Sequence, residues 1–191
     1  LDSDRGRKAL GNYFDRYVPM AIAAGAGFIL ESPTWRANPD WGAKLGYGRQ
    51  AHASNNPTAI EFLLDLRDRY ETQGSPMVVS GAIGPRGDGY VPGELMSARQ
   101  AQEYHAEQIG VFADTDADMV TAFTLTNVAE AIGIAHAARA AGIPVAISFT
   151  LETDGKLPTG EALGAAIAAV DAASDAWPAY YMINCAHPAH F

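Results

Sequence analysis

One thiol and two imidazoles lie within a few residues of each other in "INCAHPAHF": Cys185, His187 and His190. The Cys-x-His-x-x-His spacing admits three chemistries. Thiolate and imidazole together suit zinc. Cys185 and His187, two apart on an extended segment, point the same way and can form a nucleophilic pair, although no motif supplies an orienting carboxylate or an oxyanion hole. A lone cysteine is also an ordinary buried side chain. The residues alone leave all three open. Glu152 ends the apolar run "VAISFTL" and precedes Thr153, Asp154 and Gly155. Its carboxylate can receive the amino group of an amino-acid substrate, while Asp154-Gly155 is by itself a turn signal. Thr34, Trp35, Arg36 and Asn38 stand together in "SPTWRANPD". They can line a pocket, with Arg36 meeting a carboxylate. They can equally form a packed loop, with Asn38-Pro39 turning the chain and Trp35, Trp41 and Tyr47 packed. The three lysines, Lys8, Lys44 and Lys156, all lie outside the apolar runs, which argues against a buried Schiff-base amine.

These groups are positioned by a regular alternation. "RKALGNYFDRYVPMAIAAG" predicts a helix ending near Gly25, which Pro19 should kink or divide. "NPTAIEFLLDLRDRYETQG" predicts a second helix, with Asn56 as cap and Pro57 at its first position. A Ser97–Gln100 capping box opens a third helix. Asn127 and Glu130, at the same spacing, open a fourth that ends at Gly142. "TGEALGAAIAAVDAASD" is a fifth. Between them lie five short apolar runs, "GFILES", "PMVVSGAIG", "DMVTAFTL", "PVAISFTL" and "AYYMIN". Continuous apolar runs joined by helices predict parallel strands covered on both faces. No Gly-x-Gly-x-x-Gly follows the first strand, so a doubly wound dinucleotide-binding sheet loses its main support. The long, unusual loops after strands, residues 32–54, 85–96 and 152–160, favour a (β/α)8 TIM barrel, whose site is assembled at the C-terminal ends of its strands. Residues 1–191 are expected to form one partial barrel domain of about five βα units. The expected register lacks the first strand in front and the last two units behind.

The totals exclude several classes. The 191 residues are 48% hydrophobic and 18% charged, enough apolar content for a packed core. A net charge of −9 leaves no basic footprint for nucleic acid. No apolar stretch is long enough for a membrane span, and the start carries no signal-peptide pattern. A single cysteine suits a reducing compartment, so a cytoplasmic protein is expected. The missing initiator methionine suggests a longer gene product.

The segments at the strand ends carry a resemblance. "ESPTWRANPDWGAKLGY", "GAIGP", "SFTLETDGKLPTGEAL" and "YYMINCAHPAHF" together resemble the homocysteine S-methyltransferase family, over essentially the whole chain. The resemblance implies a (β/α)8 barrel that binds zinc and transfers a methyl group to the thiol of homocysteine, giving methionine. It implies three cysteine ligands. Cys185 matches the first, and a Cys-Cys pair is expected beyond Phe191. It implies that Thr34 and Asn38 line the substrate pocket. A Glu-Thr pair of the family falls on Phe123 and Thr124, so Thr124 is expected at the substrate and the missing carboxylate is expected to be replaced by Glu152, or the acceptor to be a related thiol. The expected partners are a small thiol acceptor and a methyl donor, with the sulfonium compounds S-methylmethionine and S-adenosylmethionine favoured. A (β/α)-barrel lyase or aldolase and a non-catalytic partial barrel are the alternatives.

Overall fold

The computed structural model describes residue 1, residues 3–47 and residues 49–191, and the long loop expected after the first strand includes Gly48, which lies outside them. The five apolar runs form strands β1 (Phe28–Glu31), β2 (Met77–Ile83), β3 (Met119–Leu125), β4 (Val145–Phe149) and β5 (Tyr180–Ile183). Every neighbouring pair is parallel, and the order in the sheet is the order in the chain. Helices α1 (Asp4–Ala23), α2 (Pro39–Lys44), α3 (Arg49–Tyr70), α4 (Ala98–Ala113), α5 (Val128–Ala141) and α6 (Leu163–Ser174) alternate with them, and a 3-10 turn spans Pro188–His190.

The strands have two unlike faces. Leu30, Val79, Ile83, Val120, Val145, Ile147 and Phe149 are fully buried together with Val18, Ile60, Leu63, Ile109, Phe112, Ile134 and Val170 from the helices. Phe112 of α4 lies so close over Gly81 that a Cβ there would fall within 2.6 Å of its ring. The other face carries polar groups. Glu31 accepts a hydrogen bond from Thr121 (2.9 Å), Ser80 and Thr121 share one at 2.8 Å, and Ser148 donates to Asn184 (2.8 Å). Glu31 on β1 thus meets Thr121 on β3, one strand removed. Contact between alternate strands is how the inside of a (β/α)8 barrel is layered. The sheet is the curled half-barrel that the alternation predicts, an incomplete (β/α)8 barrel.

Three helix expectations need correction. α3 begins at Arg49, so Pro57 lies inside it and Asn56 does not cap it. Asn56 is buried and works sideways. Its Oδ1 accepts from Gln108 of α4 (3.1 Å), and its Nδ2 donates to Ala37 O (3.4 Å). Burial of Ile60, Leu63 and Leu66 offsets the backbone hydrogen bond that proline forgoes. α1 runs through Pro19 as one helix, so of the two outcomes expected there, a kink or a division, the division does not occur. Residues 39–44, expected as loop, form α2, with Pro39 in its first turn and Asn38 as its cap. The Ser97–Gln100 box closes reciprocally as expected, and Gly142 ends α5 at φ +70°. Asn127 does cap α5 through Glu130 N (2.8 Å), but the Glu130 carboxylate takes its bonds from His105 (2.9 Å), the Arg86 amide (2.7 Å) and the Asn127 side chain (3.3 Å), so the box is not closed reciprocally.

Candidate active-site rim

Parallel strands put all their C-terminal ends on one rim, where Thr34, the end of "GAIGP", Thr124, Glu152 and Cys185 emerge. The rim is organised around Asn184, the residue after β5. Its Oδ1 accepts from the Thr124 backbone N–H (3.0 Å) and from Ser148 Oγ (2.8 Å). Its Nδ2 donates to Thr124 Oγ1 (2.9 Å) and to Cys185 Sγ (3.2 Å). The backbone N–H can only donate, so it fixes which end of the amide is the oxygen. One side chain therefore ties the ends of β3, β4 and β5 together, with both its oxygen and its nitrogen used twice. Thr124 sits at φ +63° and Cys185 at φ +55°, in the left-handed region that non-glycine residues avoid. The β3–β4 register shifts between Ala122 and Leu125, so Thr124 lies in an irregularity that Asn184 holds from both its backbone and its side chain. Such strain costs about 1–3 kcal/mol per residue and persists where surrounding contacts over-determine it.

The loop after β1 is fastened to β2. Ala82 N donates to Ser32 Oγ (2.9 Å), Ser32 and Thr34 share a hydroxyl bond (2.6 Å), and Thr34 Oγ1 donates to Ala82 O (2.7 Å). Thr34 is buried, with its proton committed to the β2 backbone. Trp35 reaches further round the rim. Its Nε1 donates to Phe123 O (3.2 Å), and its ring lies against Gly89. Gly84 of "GAIGP" faces the Trp35 carbonyl, which a Cβ would approach to 2.5 Å, so the glycine is required by this crossing of loops. Arg36 stacks over the rings of Trp35 (4.4 Å) and Trp41 (4.0 Å). Asn38 is buried. Its Oδ1 caps α2 through Trp41 N (3.1 Å), and its Nδ2 has no partner among the described residues.

The loop after β2 brings a second donor to the thiol. Asp88 accepts from the amides of Tyr90 (2.8 Å) and Val91 (3.1 Å), and the Tyr90 hydroxyl donates to Cys185 Sγ (3.3 Å). That bond to Cys185 pushes the ionisation of Tyr90 up. Cys185 itself is exposed. His187 faces its own turn, where Nδ1 accepts from Ala189 N (3.2 Å). His187 and His190 stand with ring centroids 5.9 Å apart, and among the described residues no group of three or more His, Cys, Asp or Glu converges on a metal-sized site. Glu152 is exposed on a turn after β4, closed by Glu152 N to Lys156 O (2.8 Å) and by Asp154 accepting from Lys156 N (3.2 Å). Lys8, Lys44 and Lys156 are all exposed.

The model of the homocysteine S-methyltransferase family matches residues 12–191. This chain belongs to that family. Among solved structures it resembles the homocysteine methyltransferase MmuM from Escherichia coli in its metallated form, with 22% identity and a TM-score of 0.74, over 84% of this chain and 58% of that one. The apo form of the same protein matches with 21% identity and a TM-score of 0.67, over 84% of this chain and 57% of that one. At such identities the likeness is one of fold. The chain spans 58% of the length of the metallated structure it matches. No curated protein matches the sequence.

For a zinc ion, the described residues fit one part of a ligand set. Cys185 offers an accessible sulfur, turned by its left-handed backbone and held by two donors, and the neighbouring imidazoles do not complete a site with it. Sequence reasoning missed two other participants. Tyr90 lay in a loop with no motif. Glu31 was read as part of an apolar strand, yet its carboxyl faces the barrel interior, with Oε2 buried and without a partner among the described residues. Burial pushes that carboxyl up, against the hydrogen bonds from Ser80 and Thr121 that pull it down.

Two outcomes follow from this geometry. Asn184→Ala in the full-length protein strands the Thr124 N–H and should cost about 1–3 kcal/mol of stability by urea unfolding. An unchanged midpoint would mean that the rim does not depend on the amide. For Glu31 the sign runs the other way. A carboxyl raised in the folded state adds stability below its unfolded value, near 4.5, and loses it as pH rises through the folded value. Glu31→Gln should therefore raise the unfolding temperature at pH 7 relative to the parent protein and lose that advantage near pH 4. A variant less stable than the parent at pH 7 would contradict this.

Proposed function

We propose that this chain is the part of a zinc-dependent homocysteine S-methyltransferase that carries one metal ligand and one side of the acceptor site. The observation that carries the reading is the Cys185 sulfur. It stands at the end of β5, accessible, with two donors trained on it, in a chain of this family. Cys185 would hold zinc together with ligands from outside these 191 residues. Zinc, when bound, favours the ionised form of a thiol near neutral pH. Asn184 and Tyr90 orient Cys185 and supply hydrogen bonds to its sulfur, and partners of this kind are commonly worth 10–100-fold in metal affinity. Thr124, in its strained turn, and Asn38, with its unspent Nδ2 donor, border the acceptor, and Thr34 fastens the loop that carries Asn38.

In the reaction the acceptor sulfur attacks the methyl carbon of a sulfonium donor, S-methylmethionine or S-adenosylmethionine. The new S–C bond forms as the donor's C–S bond breaks, the electron pair stays on the donor sulfur, and the acceptor's thiol proton leaves to solvent. Homocysteine becomes methionine, and the donor becomes a neutral thioether. What the protein contributes to such a displacement is alignment of the two sulfurs and the carbon. The described residues contain no helix long and apolar enough to cross a membrane, and a thiol kept free for a metal suits a reducing compartment such as the cytoplasm.

The test is metal content with activity. The full-length protein should carry about one zinc per chain. Cys185→Ser should lose most of that zinc together with methyl transfer, because a hydroxyl is a far poorer zinc ligand than a thiolate. The 191 residues alone should hold little zinc and transfer no methyl group. A Cys185→Ser protein with full zinc and full activity would refute the assignment.

A further inference from the structure

The inside of the half-barrel holds an acid that the rim chemistry does not use. Glu31 ends β1, and its Oε1 accepts from Thr121 Oγ1 (2.9 Å), which is itself bonded to Ser80 Oγ (2.8 Å). Its Oε2 is buried and has no partner among the described residues. A carboxylate is acceptor-only when ionised, and a buried oxygen without a donor is costly, so the position calls for a donor entering the barrel. A cationic donor would be the best match, since it would also offset the burial that pushes this carboxyl up.

No described side chain plays that part. Among the described residues no ion pair involves Glu31, while Arg67, Arg86, Arg139 and Lys156 are each engaged with other acids. Glu130 is also buried, but both its oxygens are taken, by His105 and the Arg86 amide on one side and Asn127 on the other. Glu152 is exposed, where a contact with an ammonium group is weakened by water. Phe123 presents hydrocarbon where β3 reaches the rim. Position also fits. Glu31 is the last residue of β1, three before Thr34, and Cys185 follows the end of β5, so in a parallel sheet both stand at the C-terminal ends of their strands, with the Glu31 carboxyl turned inward to Thr121.

We infer that Glu31 receives the α-ammonium group of the amino-acid acceptor, so that the acceptor stands with its thiol toward Cys185 and its amine toward the inward-facing carboxyl at the end of β1. This rests on the methyltransferase reading, because that reading supplies an acceptor with one thiol and one ammonium group. Glu31 then selects amino-acid thiols over simple mercapto acids.

The experiment compares L-homocysteine with 4-mercaptobutanoate, which keeps the thiol and the carboxylate and lacks the amine. The full-length protein, its Glu31→Gln variant and Glu152→Gln are assayed with S-methylmethionine and, separately, with S-adenosylmethionine as donor, and zinc is measured in each. The parent should prefer homocysteine. Glu31→Gln should lower kcat/KM for homocysteine by about tenfold to a hundredfold while holding the mercaptobutanoate rate within about threefold, with zinc intact. Glu152→Gln should leave the preference unchanged. An equal fall for both thiols in Glu31→Gln, or an unaltered preference, would overturn the inference. If the parent methylates neither thiol, the methyltransferase reading fails, and calorimetry with L-homocysteine decides Glu31 separately. Binding weakened about tenfold or more in Glu31→Gln would still support the amine contact. Equal binding, or none to the parent, would overturn it.

Discussion

A single carboxamide holds the rim together. Asn184 accepts from β3 and β4 and donates to Thr124 and Cys185, so the ends of three parallel strands are fixed relative to one another by one side chain. Parallel strands end without turns between them, and their last residues have no ladder partner to set their direction. Here the amide supplies that constraint. It holds Thr124 in a conformation that a β-branched residue rarely adopts, and it lies beside a cysteine in the same region of backbone space. Asn184 thus bonds the strained Thr124 with one part of its amide and the thiol with another.

The barrel wall explains why the rim can be built so tightly. On the outer face the elements interlock at close quarters, helix on strand with Phe112 over Gly81, and helix on helix with α4 against Gly133 of α5, where a Cβ would fall 2.6 Å from Ala98 O. Packing of this kind makes the strands poor at sliding. On the inner face, hydroxyls and a carboxyl replace hydrocarbon: Glu31, Ser80, Thr121 and Ser148. The wall therefore has two unlike faces, hydrocarbon packed toward the helices and hydrogen-bonding groups turned toward the centre.

The same division decides what could be read from the sequence. The outer face writes itself as apolar runs, so the five strands, their order and their parallel sense were legible, as were the Ser97–Gln100 box and the Gly142 stop. The start of α3 was not. Asn56-Pro57 is a good local start signal, and it lost to long-range bonds from Asn56 to Gln108 and Ala37. α2 was hidden by the same Asn-Pro signal at Asn38, read there as a turn. Inner-face residues were the hardest. A glutamate at the end of "GFILE" is one polar letter in an apolar run, and nothing local says that it faces Thr121 ninety residues on. Cys185 stood out by its scarcity, whereas the donors that aim it, Asn184 and Tyr90, depend on contacts across the rim.

The central claim is that Cys185 is held at the rim to share a zinc ion with a thiol substrate. Zinc-edge X-ray absorption on the full-length protein tests it most directly, because it counts sulfur neighbours. The account predicts a sulfur shell at about 2.3 Å that gains one sulfur when homocysteine is added and has one fewer in the residual zinc that Cys185→Ser retains. A shell of nitrogen and oxygen alone, or a sulfur count indifferent to both homocysteine and Cys185→Ser, would contradict it.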